Sequence, residues 1–136
     1  MSVEFVDTNI FVYAHEGGAG LKHDKAVDLI ARLFDEQAGA VSIQVLSEFY
    51  VTATKKLGMK SEEAEEAIAD LGSWTIHRPG HGDVVRASKL QRQHKVSWWD
   101  ALIIHSASEL GCDVLWSEDL AGERRYGTLT IRNPFA

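Results

Sequence analysis

Short apolar runs alternate along the chain with longer stretches in which apolar residues recur every three or four positions. The runs "VEFV" (3–6), "GAVSI" (39–43), "WTIHRP" (74–79), "DVLWS" (113–117) and "TLTIRNP" (128–134) have the length and the β-branched or aromatic content of strands, and Pro79 and Pro134 stop two of them. Between them, residues 23–37 place Ala26, Val27, Ile30, Leu33 and Phe34 at helical spacing. Residues 44–58 do the same with Val45, Leu46, Phe49, Val51 and Leu57 before Gly58. Residues 61–72 open on Ser61 with glutamates in the first turns, which suits a helix start. Residues 82–95 and 98–111 read as two further helices, the second mostly buried and closed by Gly111. The glycine-rich "HEGGAGLKH" (15–23) reads as an exposed, mobile loop. This alternation predicts an α/β fold with a central, mostly parallel sheet flanked by helices.

Length and composition narrow the classes. A chain of 136 residues without internal repeat or linker makes one domain, 1–136. It has no apolar run long enough to span a bilayer, and "MSVEFVD" lacks the basic and apolar regions of an export signal; the expectation is a cytoplasmic protein with no membrane partner. One cysteine, Cys112, forms no internal disulfide and is expected to be buried beside a strand. A net charge of −6 argues against a protein that coats nucleic acid with a basic surface. It leaves open a nuclease whose acidic residues gather around divalent cations.

The stretch "EFVDTNIFVYA" (4–14) poses the chemical question. A carboxylate, Asp7, interrupts an apolar run and is followed at once by Thr8 and Asn9, and a buried carboxylate costs stability unless something pairs with it. Asp7 ends the first strand, Glu48 lies one turn into the helix after the second, Asp100 opens the helix behind "SWW", and Asp119 follows "DVLWS". In an open parallel α/β sheet, strand ends and helix starts share the ligand-binding edge, so the four are expected to converge. Mutual repulsion then favours a bound cation, and an all-oxygen donor set suits Mg²⁺ or Mn²⁺. Taken singly, Asp7 and Asp119 are also ordinary helix caps, Glu48 an ordinary exposed glutamate, and Asp100 a first-turn residue stabilised by the helix dipole. Their joint placement carries the inference.

At these residues the chain resembles the PIN domain family, and within it the VapC-like toxins of toxin–antitoxin pairs. The resemblance runs through "FVDTNIFVYA", "SIQVLSEFYVTATKK", "VSWWDALIIHSASELGCDVLWSEDL" and "IRNPF", nearly end to end and in order. It implies a metal-dependent endoribonuclease with catalytic, metal-holding carboxylates at Asp7, Glu48, Asp100 and Asp119. Asn9, Thr8 and Ser117 are supporting polar groups, Ser117 keeping the hydroxyl where the family often has threonine. The expected reaction is in-line hydrolysis of an RNA phosphodiester by metal-activated water, leaving a 5′-phosphate and a 3′-hydroxyl. The resemblance also implies a homodimer and a small cognate antitoxin that covers the acidic groove. The apolar faces of "AVDLIARLF" and "QVLSEFYV" are candidate surface for either partner.

Other readings stay open at this point. A non-catalytic PIN-fold protein that binds RNA or titrates an antitoxin keeps the same fold. A haloacid-dehalogenase-type phosphotransferase wants a second aspartate where Asn9 stands, and a response-regulator receiver needs an acidic pair near the first strand. The six histidines show no zinc spacing. Trp98 and Trp99 suit the core or a dimer interface better than base stacking. For phosphate contact the basic candidates are Arg124 and Arg125, near Asp119 in sequence, ahead of Lys55, Lys56 and Lys60.

Overall fold

The computed structural model describes residues 2–120 and 124–136. The first strand, β1 (Glu4–Val6), leads through α1 (Thr8–Ala14) and α2 (Leu21–Glu36) to β2 (Gly39–Ser42). Helices α3 (Ile43–Lys55) and α4 (Ser61–Asp70) connect β2 to β3 (Thr75–His77), and α5 (His81–His94) and α6 (Trp98–Glu109) connect β3 to β4 (Val114–Trp116). The chain closes with β5 (Arg125–Tyr126) and β6 (Leu129–Arg132).

One sheet results, in the order β3-β2-β1-β4-β6-β5, parallel throughout except for β5 against β6. Parallel neighbours need crossover connections, and the helix pairs supply them. The chain steps outward from β1 to β2 to β3, then returns across to place β4 on the other side of β1. That reversal opens a crevice at the carboxyl ends of β1 and β4. The central strands are buried on both faces: Phe5, Val6, Ala40, Val41 and Leu115 are all at 0% exposure, as expected where helices cover both sides. Phe5 lies in register between Ala40 and Leu115. Gly39 admits the Trp74 ring so closely that a Cβ there would sit inside van der Waals contact with it. Cys112 is buried, and burial pushes its thiol up to about 12.

Two charged clusters tie the elements together. Glu4, at the mouth of β1, accepts hydrogen bonds from Arg32 of α2 (2.8 and 3.1 Å) and from the Trp116 indole (2.8 Å); the guanidinium, against the effect of burial, holds its carboxyl below the usual range. Asp83, in the first turn of α5, accepts from Gly80 N (2.7 Å), His105 Nε2 (2.8 Å) and Arg86 (3.1 Å), and His77 Nδ1 meets Ser106 Oγ at 2.8 Å. The Gly80 amide, then His105, hold the Asp83 carboxyl far below the carboxylate range. These contacts pin α5 to α6 and to the end of β3. Asp83, His105 and Glu109 bring ligand-type atoms within 4.8 Å of one another, but Arg86 already stands 3.1 Å from Asp83 and 3.9 Å from Glu109 and neutralises them.

The structure differs from the sequence reading in three places. Residues 8–14, whose β-branched and aromatic residues disguise the pattern, form α1, with Ile10 and Phe11 buried and Asp7 as cap. The glycine-rich segment forms a short 3-10 turn (Gly17–Ala19), and α2 begins at Leu21 after Gly20, whose φ of 64° suits glycine. Residues 125–126 pair as the short antiparallel strand β5.

Candidate active site

Local rules place each carboxylate before tertiary packing assembles them. Asp7 leaves β1 in extended conformation and caps α1, its Oδ1 accepting from Thr8 N at 2.7 Å. Glu48 is on the first turns of α3, which Ser42 caps through Val45 N. Asp100 is the third residue of α6, behind the cap Ser97, whose Oγ accepts from Asp100 N at 3.1 Å. The dipole of that helix start favours its negative charge. Asp119 follows β4 and is exposed. The capping roles and the shared location therefore coexist.

All four carboxylates line one open cavity of about 650 Å³ at the β1–β4 reversal, together with Thr8 and Asn9. Asn9 is the hub: its Nδ2 donates to Asp119 Oδ2 at 3.1 Å and lies 3.4 Å from Ser117 Oγ and 3.5 Å from Asp7 Oδ2, while its Oδ1 accepts from Glu118 N at 3.2 Å. Ser117, fully buried, donates from Oγ to Asp7 Oδ2 at 2.8 Å. These bonds join the residue after β1 to those after β4, more than a hundred positions apart. The Oγ1 of Thr8 is buried without a hydrogen-bond partner.

The electrostatics are one-sided. Burial, with the charges of Glu48 and Asp119 adding to it, pushes the Asp7 carboxyl up to about 6 against the opposing hydrogen bonds from Ser117 and Thr8. Among the described residues, the lining carries six carboxylates, those of Asp7, Glu16, Glu48, Asp100, Glu118 and Asp119, against one ammonium, Lys56. No three of the four expected carboxylates bring oxygens within 4.8 Å of one another among the described residues. An oxygen-only donor set of this kind fits a hard divalent cation.

Several lining residues escaped the sequence reading. Gln44 holds Glu48, its Nε2 donating to Oε1 at 3.0 Å, and its position one turn before Glu48 was the available signal. Glu118 takes a hydrogen bond from Tyr13 (2.6 Å) and an ion pair from Lys22 (2.5 Å), both across elements. Lys56 lines the cavity, whereas Arg124 and Arg125 are not among its lining residues. Arg125 lies in β5, and the Arg124 guanidinium sits 5.3 Å from the Tyr126 ring centroid. Trp98 is half-buried; Trp99, expected in the core or a dimer interface, is outside the core, 64% exposed at the cavity.

A parallel α/β sheet with an acidic cavity at its topological reversal defines the class of this molecule. The family model described as PIN domain matches residues 5–126, and the chain belongs to the PIN domain family. No curated protein sequence matches it significantly. Its fold is similar to a chain of a toxin–antitoxin complex from Klebsiella pneumoniae (17% identity, TM-score 0.71, covering 96% of this chain and 97% of that one). It is also similar to a chain of VapBC2 from Rickettsia felis bound to a promoter DNA fragment (22%, 0.68, 96% and 98%). A third is VapC20 of Mycobacterium tuberculosis, a Sarcin-Ricin loop cleaving toxin (19%, 0.67, 85% and 89%). At these identities the likeness is one of fold.

Proposed function

We propose that the chain, residues 1–136 acting as one PIN domain, is a metal-dependent endoribonuclease and the VapC-like toxin of a toxin–antitoxin pair. The observation that carries the reading is the cavity, where the four expected carboxylates meet and, among the described residues, six acidic groups face one lysine. Such a lining repels phosphate unless a cation intervenes, and burial, with a smaller addition from the charges of Glu48 and Asp119, pushes the Asp7 carboxyl up to about 6. Asp7, Asp100 and Asp119, completed by Glu48, would hold Mg²⁺ or Mn²⁺. When bound, the ion supplies charge neutralisation at the phosphate and acidifies water for attack.

The protein's own groups do the positioning. Asp7 presents its carboxylate with both oxygens already fixed, Oδ1 by Thr8 N and Oδ2 by Ser117, which limits its rotation. Asn9 holds Asp119, an exposed carboxylate otherwise free to swing, against the β1 end of the cavity. Gln44 orients Glu48, and the Ser97 cap fixes the first turn of α6, on which Asp100 stands. Thr8 contributes the backbone amide that holds Asp7 Oδ1.

The partners follow from the same reading: RNA as substrate, a small cognate antitoxin, and a second copy in a homodimer, all in the cytoplasm. An apolar groove of about 350 Å³, lined by Phe11, Val27, Ile30, Phe34, Phe49 and Leu71, supports a protein partner on the α1–α2–α3 side. Among the described residues, no helix is long and apolar enough to cross a membrane.

The test is cleavage of total RNA by wild type and Asp100→Asn with Mg²⁺, with Mn²⁺ and with excess chelator. Cleavage that requires both the metal and Asp100 and leaves 5′-phosphate ends is the expected result. Cleavage indifferent to either would overturn the assignment, and the absence of any cleavage would favour a binding or titrating PIN protein.

A further inference from the structure

Trp99 is the second residue of α6, so its backbone is set by the Ser97 cap, and Gln44 Nε2 approaches its carbonyl at 3.5 Å. Its side chain nevertheless lies 64% exposed beside Asp100, at the wall of the acidic cavity, with Val51 and Ile103 lining the same space. Among the described residues it makes no ring–ring pair. A large apolar ring held rigidly in water next to a reaction centre gains by being covered.

Charge indicates what covers it. Proteins that bind nucleic acid without regard to sequence ordinarily draw affinity from Lys and Arg contacts to phosphates. This chain has a net charge of −6 and a single lysine in its cavity lining among the described residues. Binding energy for a polynucleotide must therefore come largely from an uncharged surface, and a base stacked on an aromatic ring supplies about 1–3 kcal/mol irrespective of base identity. We propose that the Trp99 indole is a stacking platform for a nucleobase flanking the scissile phosphate at the acidic cavity. The inference rests on the ribonuclease reading and deepens it. Its consequence is that the bound nucleotide must be unpaired, since bases inside an A-form helix do not offer a free face.

The experiment measures binding without turnover. With all four carboxylates intact and Ca²⁺ in place of Mg²⁺ to fill the site without turnover, checked by recovery of uncut strand, a fluorescently labelled oligoribonucleotide of mixed sequence is titrated as a single strand and as a duplex against Trp99, Trp99→Phe and Trp99→Ala proteins. Trp99→Ala is expected to weaken single-strand binding by about 5- to 150-fold. Trp99→Phe is expected to retain most of the affinity, and duplex binding to be weak and indifferent to residue 99. The salt dependence of the single-strand affinity is expected to be shallow. Equal single-strand affinity for Trp99 and Trp99→Ala proteins would overturn the stacking role while leaving the nuclease reading standing. So would a loss that tracks dissociation of a dimer by light scattering, which would assign Trp99 to a protein interface. If none of the proteins binds the oligonucleotide, the stacking role falls, and the separate cleavage assay decides the nuclease reading.

Discussion

Replacing Asp7 by asparagine is expected to stabilise the cation-free protein and, on the proposed ribonuclease reading, to abolish RNA cleavage. The folded state holds the Asp7 carboxyl at about 6 against an ordinary value of 3.8, so between these pH values the folded protein binds more protons than the unfolded chain. Stability therefore falls as pH rises through that window and stays lowered above it. The difference of about two units corresponds to about 3 kcal/mol at pH 8. Asparagine keeps the shape and removes the charge. Its amide cannot accept at both oxygen positions, however, so one of the bonds from Ser117 or Thr8 is lost, at about 1 kcal/mol. The net gain of about 2 kcal/mol raises the melting temperature of a domain this size by about 7 °C. The assay is thermal unfolding of both proteins from pH 4 to 8 in chelator, then with Mg²⁺. The wild type is expected to lose stability across pH 4–6 and recover it with Mg²⁺, because a ligand bound only to the folded state stabilises it. The variant is expected to show less of that slope and little response to the ion. A variant that melts at or below wild type at pH 8 in chelator, with an unchanged slope, would refute the claim that unneutralised charge is stored at Asp7.

Three further outcomes test other parts of the molecule. Asn9→Ala releases Asp119 from its only side-chain hydrogen-bond donor among the described residues, and is expected to lower cleavage or cation affinity by about 10- to 100-fold with little change in melting temperature; rates titrated against Mg²⁺ check this, and an unchanged rate would remove Asn9 from the site. Gly39→Ala drives a methyl into the Trp74 ring and is expected to cost about 1–3 kcal/mol, partly recovered in combination with Trp74→Leu, as a double-mutant cycle in urea would report. Asp83→Asn removes a carboxyl whose folded value lies far below the ordinary one, so its contribution, present above about pH 4 and lost as pH falls further, is expected to disappear; parallel acid-unfolding limbs for the two proteins would contradict it.

What the residues alone determined is local. Strand-like runs ending at Asp7 and Ser117 are legible as short apolar stretches because the central strands are buried on both faces, and helical faces such as Ala26–Leu33 because burial on one face imposes a period of 3.6. The same logic explains the miss at α1, seven residues long, where one turn of Ile10 and Phe11 among β-branched and aromatic neighbours leaves too little pattern to separate helix from strand. The four carboxylates could be named in advance because each lies at a strand end or helix start, and the parallel alternation assigns those to one edge.

Tertiary structure decided the contacts across that edge. The hub at Asn9, which joins Asp119 and Ser117 to Asp7, exists because β4 returns to lie beside β1, a strand order that no local pattern encodes. Arg124 and Arg125 lie close to Asp119 in sequence, yet Arg125 lies in β5, the far edge strand, while Lys56, from the end of α3, lines the cavity. Trp99, in an apolar stretch that suits a core, lines the cavity because packing buries Ala101, Ile104 and Ala107 of α6 and leaves the position of Trp99 uncovered. The buried Asp83–His105 pair joins two helices through residues with no shared motif. Periodicity reports which side of an element is covered; only the packed arrangement of elements determines which side chains meet, and the chemistry of this cavity depends on those meetings.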